Sequence, residues 1–518
     1  MSIQLSGSAL INLNINSPLY LDLLETAVKL AGKDSTLWGI DAQPEAQLRL
    51  NWVDLPTSSR NLLPELDALS AWARSNNLTN IILAGMGGSS LAPEVIAKTF
   101  GKKLAVLDST DPAQIAAAIP SDLSNSVVVV GSKSGSTIET ASQKALFTKL
   151  FTDAGLNPQD HIVIVTDPGS PLDKDSRAAG LRTITADPNV GGRYSALSAF
   201  GLVPAALMGV DVSLLLDDAA AAAATFTGDD SPAVALATLA FTDSAQFIAF
   251  FDAGSQVPGI SDWIEQLIAE STGKNQTGRL PIVIENGLSP VAGPALKVGF
   301  ATGQNADLIV EATLGEQFIL WEWVTALLSR ALAVDPFNQP NVTEAKERTG
   351  EILAEWSDGL VHQPKASYED DLIAVFSNSS ADTLSGQLQD FFAIPSHYLG
   401  VMAYLSRGID DAILSSRSLL ANKTGRAVTF GWGPRFLHST GQFHKGGQHN
   451  GAFIQITGES ARDIAIPGKN FGFHTLLMAQ ALGDGKALAS RNFPVIRIHL
   501  KERAPAISAL LDALENQL

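Results

Sequence analysis

From residue 79 the chain alternates short, nearly continuous apolar runs with longer stretches of helical periodicity. The runs are "NIILAGMGG", "LAVLDST", "SVVVVGSKSGS", "HIVIVTD" and "LRTITAD". Apolar runs spaced by helix-length segments predict a parallel sheet covered on both faces, because strands buried on both sides lose the in-and-out alternation of a half-exposed sheet. Each run ends in Gly, Ser, Thr or Asp. In open α/β sheets the ligand crevice lies at the carboxyl ends of the strands, so these small polar ends are where a site is sought first.

The stretch "LLLDDAAAAAATFTGDDSP", residues 214–232, carries six alanines and then an acidic turn, and predicts a helix and a domain junction. A second alternation follows, with "LPIVIENG" and "ADLIVEATL" as strands and "EQFILWEWVTALLSRALAV" as an apolar helix. From residue 421 the texture becomes β-like in "AVTFGWG", "GAFIQITG" and "FPVIRIHL". The expected division is an N-terminal helical segment over 1–70, two α/β domains over 71–225 and 226–420, and a C-terminal region over 421–518 packed on the second. The two halves imply a duplicated architecture without a letter-by-letter repeat.

A length of 518 residues agrees with two or three packed units, and 45% hydrophobic against 17% charged residues marks an ordinary folded protein. The net charge of -18 argues against nucleic acid, whose binders cluster Lys and Arg, so an anionic ligand must be held locally. The absence of cysteine removes disulfides, thiolate zinc sites and thiol nucleophiles, and suits the cytoplasm. The first twenty residues lack the basic start and apolar stretch of a signal peptide. The most apolar run, Tyr194 to Val210, is shorter than the roughly 20 residues of a membrane span and is read as a buried helix.

Four motifs carry candidate chemistry. "LAGMGGSSLAPEV" sets a glycine turn between strand and helix, where backbone N–H groups with the Ser89 and Ser90 hydroxyls can receive phosphate. A dinucleotide site competes, since Asp108 ends the next strand, although Ser90 stands where the third fingerprint glycine belongs; a plain tight turn also fits. "VVVVGSKSGSTIET" places Ser132, Lys133, Ser134, Ser136 and Thr137 at a helix start, which suits a phosphomonoester, whereas helix capping accounts for one or two of the hydroxyls only. "GGRYS" offers Arg193 after two glycines, as an oxyanion partner or a structural ion pair. "EQLIAESTGKNQ" puts Gln266 and Glu270 on one helical face just before a glycine turn, a seat for a catalytic carboxylate or a capped surface end.

The stretch "FGWGPRFLHSTGQFHKGGQHNG" holds His438, His444 and His449. Their spacing of six and five, with no carboxylate between Phe430 and Gly451, disfavours a metal site. A single imidazole acting as acid or base, oriented by Gln442 and backbone groups, fits better, with His444 and His449 as satisfied loop histidines.

Together the segments "GMGGSSLAP", "SKSGSTIET", "GGRYS", "ESTGK", "DPFNQPNVTEAK" and "HSTGQFHKGG" resemble glucose-6-phosphate isomerases, and specifically the isomerase half of transaldolase–phosphoglucose isomerase fusion proteins. The resemblance spans about Leu83 to Gly451. It implies two doubly wound sugar-isomerase (SIS-type) domains with parallel-rich sheets, an appended C-terminal region, and a site usually completed across a homodimer. It implies phosphate contacts at Ser89, Ser132, Lys133, Ser134 and Thr137, a substrate-binding Gly88, a base at Glu270, an enediolate-stabilising Arg193, a ring-opening His438, and ligand-site groups Gln266, Gln339 and Lys346. Most family members carry these blocks in the order glutamate, histidine, lysine; here they run Glu270, Lys346, His438. The chain also lacks the length for a transaldolase barrel of ~250 residues beside the isomerase, so no transaldolase activity is expected.

The chemistry of such a set is coherent without metal, nucleotide or redox cofactor. Converting an aldose phosphate to a ketose phosphate needs ring opening, a proton moved between neighbouring carbons, and a stabilised enediolate. Two other classes stay open: a sugar-phosphate-binding regulator, which would need the hydroxyl loops alone, and a nicotinamide-dependent oxidoreductase, which would need the glycine turn for pyrophosphate.

Overall fold

The structure, a computed structural model, describes residues 3–242 and 246–516. Three β-sheets order these residues. Strand β1 (Gln4–Ser6) comes first in the chain, and the first sheet is then built from β2 (Asn80–Gly85), β3 (Ala105–Leu107), β4 (Ser126–Gly131), β5 (Ile162–Thr166) and β6 (Arg182–Thr185). They are parallel in the order β3-β2-β4-β5-β6 and correspond to the five apolar runs. Every residue of β4 is buried, and all but the first of β2, which explains the missing alternation.

The second sheet, in the order β1-β10-β9-β7-β8, contains β7 (Phe247–Phe251), β8 (Leu280–Val283), β9 (Ala295–Gly299) and β10 (Leu308–Glu311). Four strands are parallel, and β1 pairs antiparallel with β10. The N-terminal segment therefore carries helices and also ties a strand into the second unit. The alanine run closes helix Val212–Ala223 with its last residue, Ala224, as the C-cap, and the apolar run after Tyr194 forms helix Ala199–Leu207, buried at every position. No helix among the described residues is long and apolar enough to cross a membrane.

The third sheet comprises β11 (Tyr368–Glu369), β12 (Ile373–Phe376), β13 (Tyr398–Tyr404), β14 (Ala427–Trp432), β15 (Gly451–Gly458) and β16 (Val495–Leu500), ordered β11-β12-β16-β15-β13-β14. The division expected at 420/421 falls inside it, between β13 and β14, which pair in parallel over six residues. The C-terminal region is thus a third α/β unit rather than an appendage of β-runs. Its β13, buried at every residue, is a run that the change of texture at residue 421 leaves on the wrong side.

One face of the third unit packs Tyr398, Phe443 and Phe453 against Phe247 and Phe251 of the second. Its helix Phe473–Ser490 sends Phe473 and Leu476 into the core beneath the first sheet. A buried ion network fixes this docking. Arg435 lies 3.0 Å from Glu94 and 3.1 Å from Asp108, and Arg407 lies 2.9 Å from Glu94. Burial works to raise the Glu94 carboxyl, yet Arg435, Arg407 and Lys98 hold it well below the usual range. Removing one partner of such a network leaves an uncompensated buried charge, at a cost of about 3–5 kcal/mol.

Glu322, in helix Leu314–Ala331, is buried with no cationic partner among the described residues, and burial pushes its carboxyl well above the ordinary value. A group whose pKa is raised in the folded state supports folding below its unfolded pKa and loses that contribution as pH rises through the folded one. Glu322→Gln should therefore gain on the wild type as pH rises above 4.5, by up to about 1.4 kcal/mol per pH unit within the window. Denaturant midpoints at pH 5 and pH 8 check this; parallel pH dependences of the two proteins would refute it.

Candidate active site

The glycine turn after β2 is packed rather than open. A Cβ on Gly88 would lie 1.9 Å from the Gly192 carbonyl oxygen, and Gly87, at φ 57°, would bring one within 2.8 Å of Gln266 and 3.0 Å of the His438 carbonyl. Only glycines let "GMGGSS", "GGRYS", the Gln266 helix and the His438 turn meet here.

Helix Ile260–Thr272 ends at Gly273 with Glu270 in its last turn, and the i, i+4 spacing brings the Gln266 amide to Glu270 at 3.1 Å. The same amide donates to the His438 carbonyl at 2.8 Å. Arg193, 4% exposed, donates through Nη2 to Glu270 Oε1 at 3.1 Å and through Nη1 to the Pro336 carbonyl at 2.7 Å. It also bonds Gln339. Four of the expected residues, Arg193, Gln266, Glu270 and Gln339, thus form one cluster. Lys274, buried beside them, donates to the Asp335 carbonyl, and burial together with Arg193 pushes its pKa well down.

The hydroxyl loop follows β4. Ser132 donates to Thr137 at 3.3 Å and accepts from the Gly135 N–H at 3.2 Å, while Ser134 and Ser136 pair at 2.8 Å. Thr137 holds the N-cap position of helix Ile138–Asp153 but makes no capping bond, so capping does not account for its hydroxyl. Lys133 is engaged elsewhere: its ammonium lies 2.7 Å from Asp167 and donates to the Pro188 carbonyl at 3.1 Å. Burial lowers its pKa, with Asp167 opposing. Ser89 lies at the end of the packed glycine turn, half-buried.

His438 ends the turn Arg435–His438, and its Nε2 lies 3.0 Å from Glu139 Oε1. Glu139 is 3% exposed; burial works to raise its pKa, but the charge and hydrogen bond of His438, with Lys346 adding, bring it below the ordinary value. Since an ionised carboxylate only accepts, Nε2 carries the proton and Nδ1 is the ring nitrogen that Glu139 does not engage. A cavity of about 220 Å³ is lined by Ser136, Thr137, Glu139, Lys346, His438 and Gln480. Lys346 and His438 therefore meet despite the altered order of their blocks. All these side chains come from one chain.

Glu139 was hidden inside "SKSGSTIET", where a carboxylate in the first turn of a helix is also ordinary dipole placement. Gln442, expected to orient the imidazole, instead bonds the Gly273 carbonyl at 3.0 Å and the Asn341 N–H at 2.9 Å. His444 is buried, stacked on Tyr398 with its Nδ1 3.2 Å from the phenol oxygen, and burial with Lys445 depresses its pKa to about 3. His449 is exposed and stacks on Phe493 at 4.0 Å.

Residues 67–277 match the phosphoglucose isomerase family model. That segment holds the glycine turn, the hydroxyl loop, Arg193, Gln266 and Glu270, whereas Gln339, Lys346 and His438 lie beyond it. Over 214 residues the chain is 34% identical to a probable glucose-6-phosphate isomerase of Haloquadratum walsbyi, covering 39% of this chain and 50% of that protein. Over 212 residues it is 35% identical to the chloroplastic glucose-6-phosphate isomerase 1 of Arabidopsis thaliana, covering 38% and 35%. The chain thus spans about half or less of the length of these phosphoglucose isomerase relatives. Its fold is similar to that of a glucose-6-phosphate isomerase from Chlamydia trachomatis, with a TM-score of 0.51 at 21% identity over 58% of this chain and 74% of that one.

Proposed function

We propose that the protein is an aldose–ketose isomerase that interconverts glucose 6-phosphate and fructose 6-phosphate. The observation that carries this is the convergence, in one chain, of a carboxylate held by a guanidinium with an imidazole held by a second carboxylate, beside a loop of hydroxyls. The phosphoglucose isomerase match over 67–277 and the relatives' names support it.

In this mechanism Ser132, Ser134, Thr137 and the N–H groups around Ser89 grip the non-reacting phosphate at helix starts, where the dipole favours negative charge. With its ammonium paired to Asp167, Lys133 contributes backbone N–H rather than charge. His438 exchanges a proton with the ring oxygen through Nδ1, and Lys346 stabilises the charge as the ring opens. Glu270 removes the proton from C2 of the aldose and returns it at C1, and Arg193 stabilises the enediolate oxygens. Gln266 and Gln339 hold Glu270 and Arg193. No step calls for a metal or redox cofactor. A cytoplasmic location, from the cysteine-free composition, belongs to the same proposal.

The nicotinamide alternative is disfavoured because Asp108, 2% exposed, is paired with Arg435 instead of open to a ribose. A non-catalytic regulator leaves the buried Arg193–Glu270 pair and the His438–Glu139 pair unexplained.

A coupled assay of purified protein with fructose 6-phosphate, before and after chelator treatment, tests the activity: turnover insensitive to chelation is expected, and no turnover would refute it. Ser132→Ala with Thr137→Ala should raise KM for both sugar phosphates and lower kcat less, because these groups hold the part of the substrate that does not react. An unchanged KM, and unchanged inhibition by a phosphorylated sugar acid, would place the phosphate elsewhere.

A further inference from the structure

Helix Phe473–Ser490 of the third unit is apolar around its middle, with Leu476, Leu477, Met478, Ala479 and Ala481 buried. Gln480, in the same stretch, is 3% exposed. A buried amide is unfavourable unless its donors and acceptor find partners. Here Nε2 donates to Glu139 Oε1 at 2.7 Å, and Oε1 accepts from the Thr110 hydroxyl at 2.7 Å. An ionised carboxylate accepts only, so the NH₂ must face Glu139, and the Thr110 hydroxyl holds the amide oxygen on the opposite side. The Glu139 oxygen that receives Gln480 is the one that receives His438.

We propose that Gln480, itself held by Thr110, is a positioning residue that fixes the Glu139 carboxylate in the orientation from which it orders His438. The inference rests on the isomerase function proposed above and extends it to a residue of the third unit, outside the segment that matches phosphoglucose isomerases. It explains a polar side chain in an apolar helix face. It also gives the third unit a role beyond carrying His438, since one helix of that unit sets the partner of its own histidine. Each link is a hydrogen bond to, or one bond removed from, a charged group, where geometry counts most.

The test uses the purified full chain and isomerisation of both sugar phosphates. Gln480→Leu keeps the volume and removes the donor; kcat is expected to fall about 10–100-fold with KM changed by no more than about threefold, as when a hydrogen bond to a charged group of the machinery is lost. In a Glu139→Gln background the same change should cost less than about twofold, because the carboxylate it positions is already gone. Thr110→Val should lower kcat and Thr110→Ser should restore it; this pair carries the test if Gln480→Leu does not fold. An unchanged kcat in folded Gln480→Leu, a multiplicative effect in the Glu139→Gln background, or a rise confined to KM would overturn the proposal while leaving the isomerase function intact. A wild type that turns over neither sugar would refute that function and the inference with it.

Discussion

Glu270→Gln is expected to bind phosphorylated sugars and to lose isomerisation. The amide keeps the shape of the carboxylate and retains an acceptor for Arg193, at 3.1 Å in the wild type, but cannot remove a proton from carbon. Loss of a general base costs about 10²–10⁴-fold or more in kcat. Because Arg193 still donates to the oxygen that remains, the fall should appear in kcat with little change in inhibitor affinity. Steady-state kinetics with titration of a phosphorylated sugar acid separates the two. A variant within tenfold of wild type would remove Glu270 from the mechanism.

The second large effect is expected at His438. His438→Ala should lower kcat on the cyclic sugar by about 10²–10⁴-fold, the span ascribed to a positioned acid or base. Proton exchange on the open-chain form should suffer less, since Glu270 and Arg193 remain in place. The neighbouring histidines supply controls that the structure sharpens. His449→Ala, at an exposed ring stacked on Phe493, should stay within a few-fold of wild type. His444→Ala should instead cost stability, about 2–4 kcal/mol, because it empties a buried aromatic cluster with Tyr398 and Phe453. Inactivity of all three variants, together with a chelator-sensitive wild type, would restore a metal site to consideration.

Local chemistry was legible in the sequence and long-range assembly was not. The five runs of the first sheet showed themselves because strands buried on both faces read as continuous apolar segments. The pairing of Gln266 with Glu270 followed from helical spacing alone. By contrast β13, the strand between β14 and β15, gave no boundary signal, so the third unit was divided at 420/421. The partner of His438 lies 299 residues earlier, where its carboxylate also satisfied a helix start and so raised no question. Lys133, prominent as the cation of the hydroxyl loop, turned out to be engaged by Asp167, a contact that depends on how β4 and β5 lie side by side. Gln480 had no local signal at all: its function exists only where the third unit meets the first.

The central claim is that a carboxylate at Glu270 moves a proton between C1 and C2. Isomerisation of fructose 6-phosphate in deuterated water, followed by NMR of the product, tests it most directly. The wild type should place solvent deuterium at C2 of glucose 6-phosphate, and Glu270→Gln should place none above the uncatalysed rate. Incorporation by Glu270→Gln at the wild-type rate would contradict the claim.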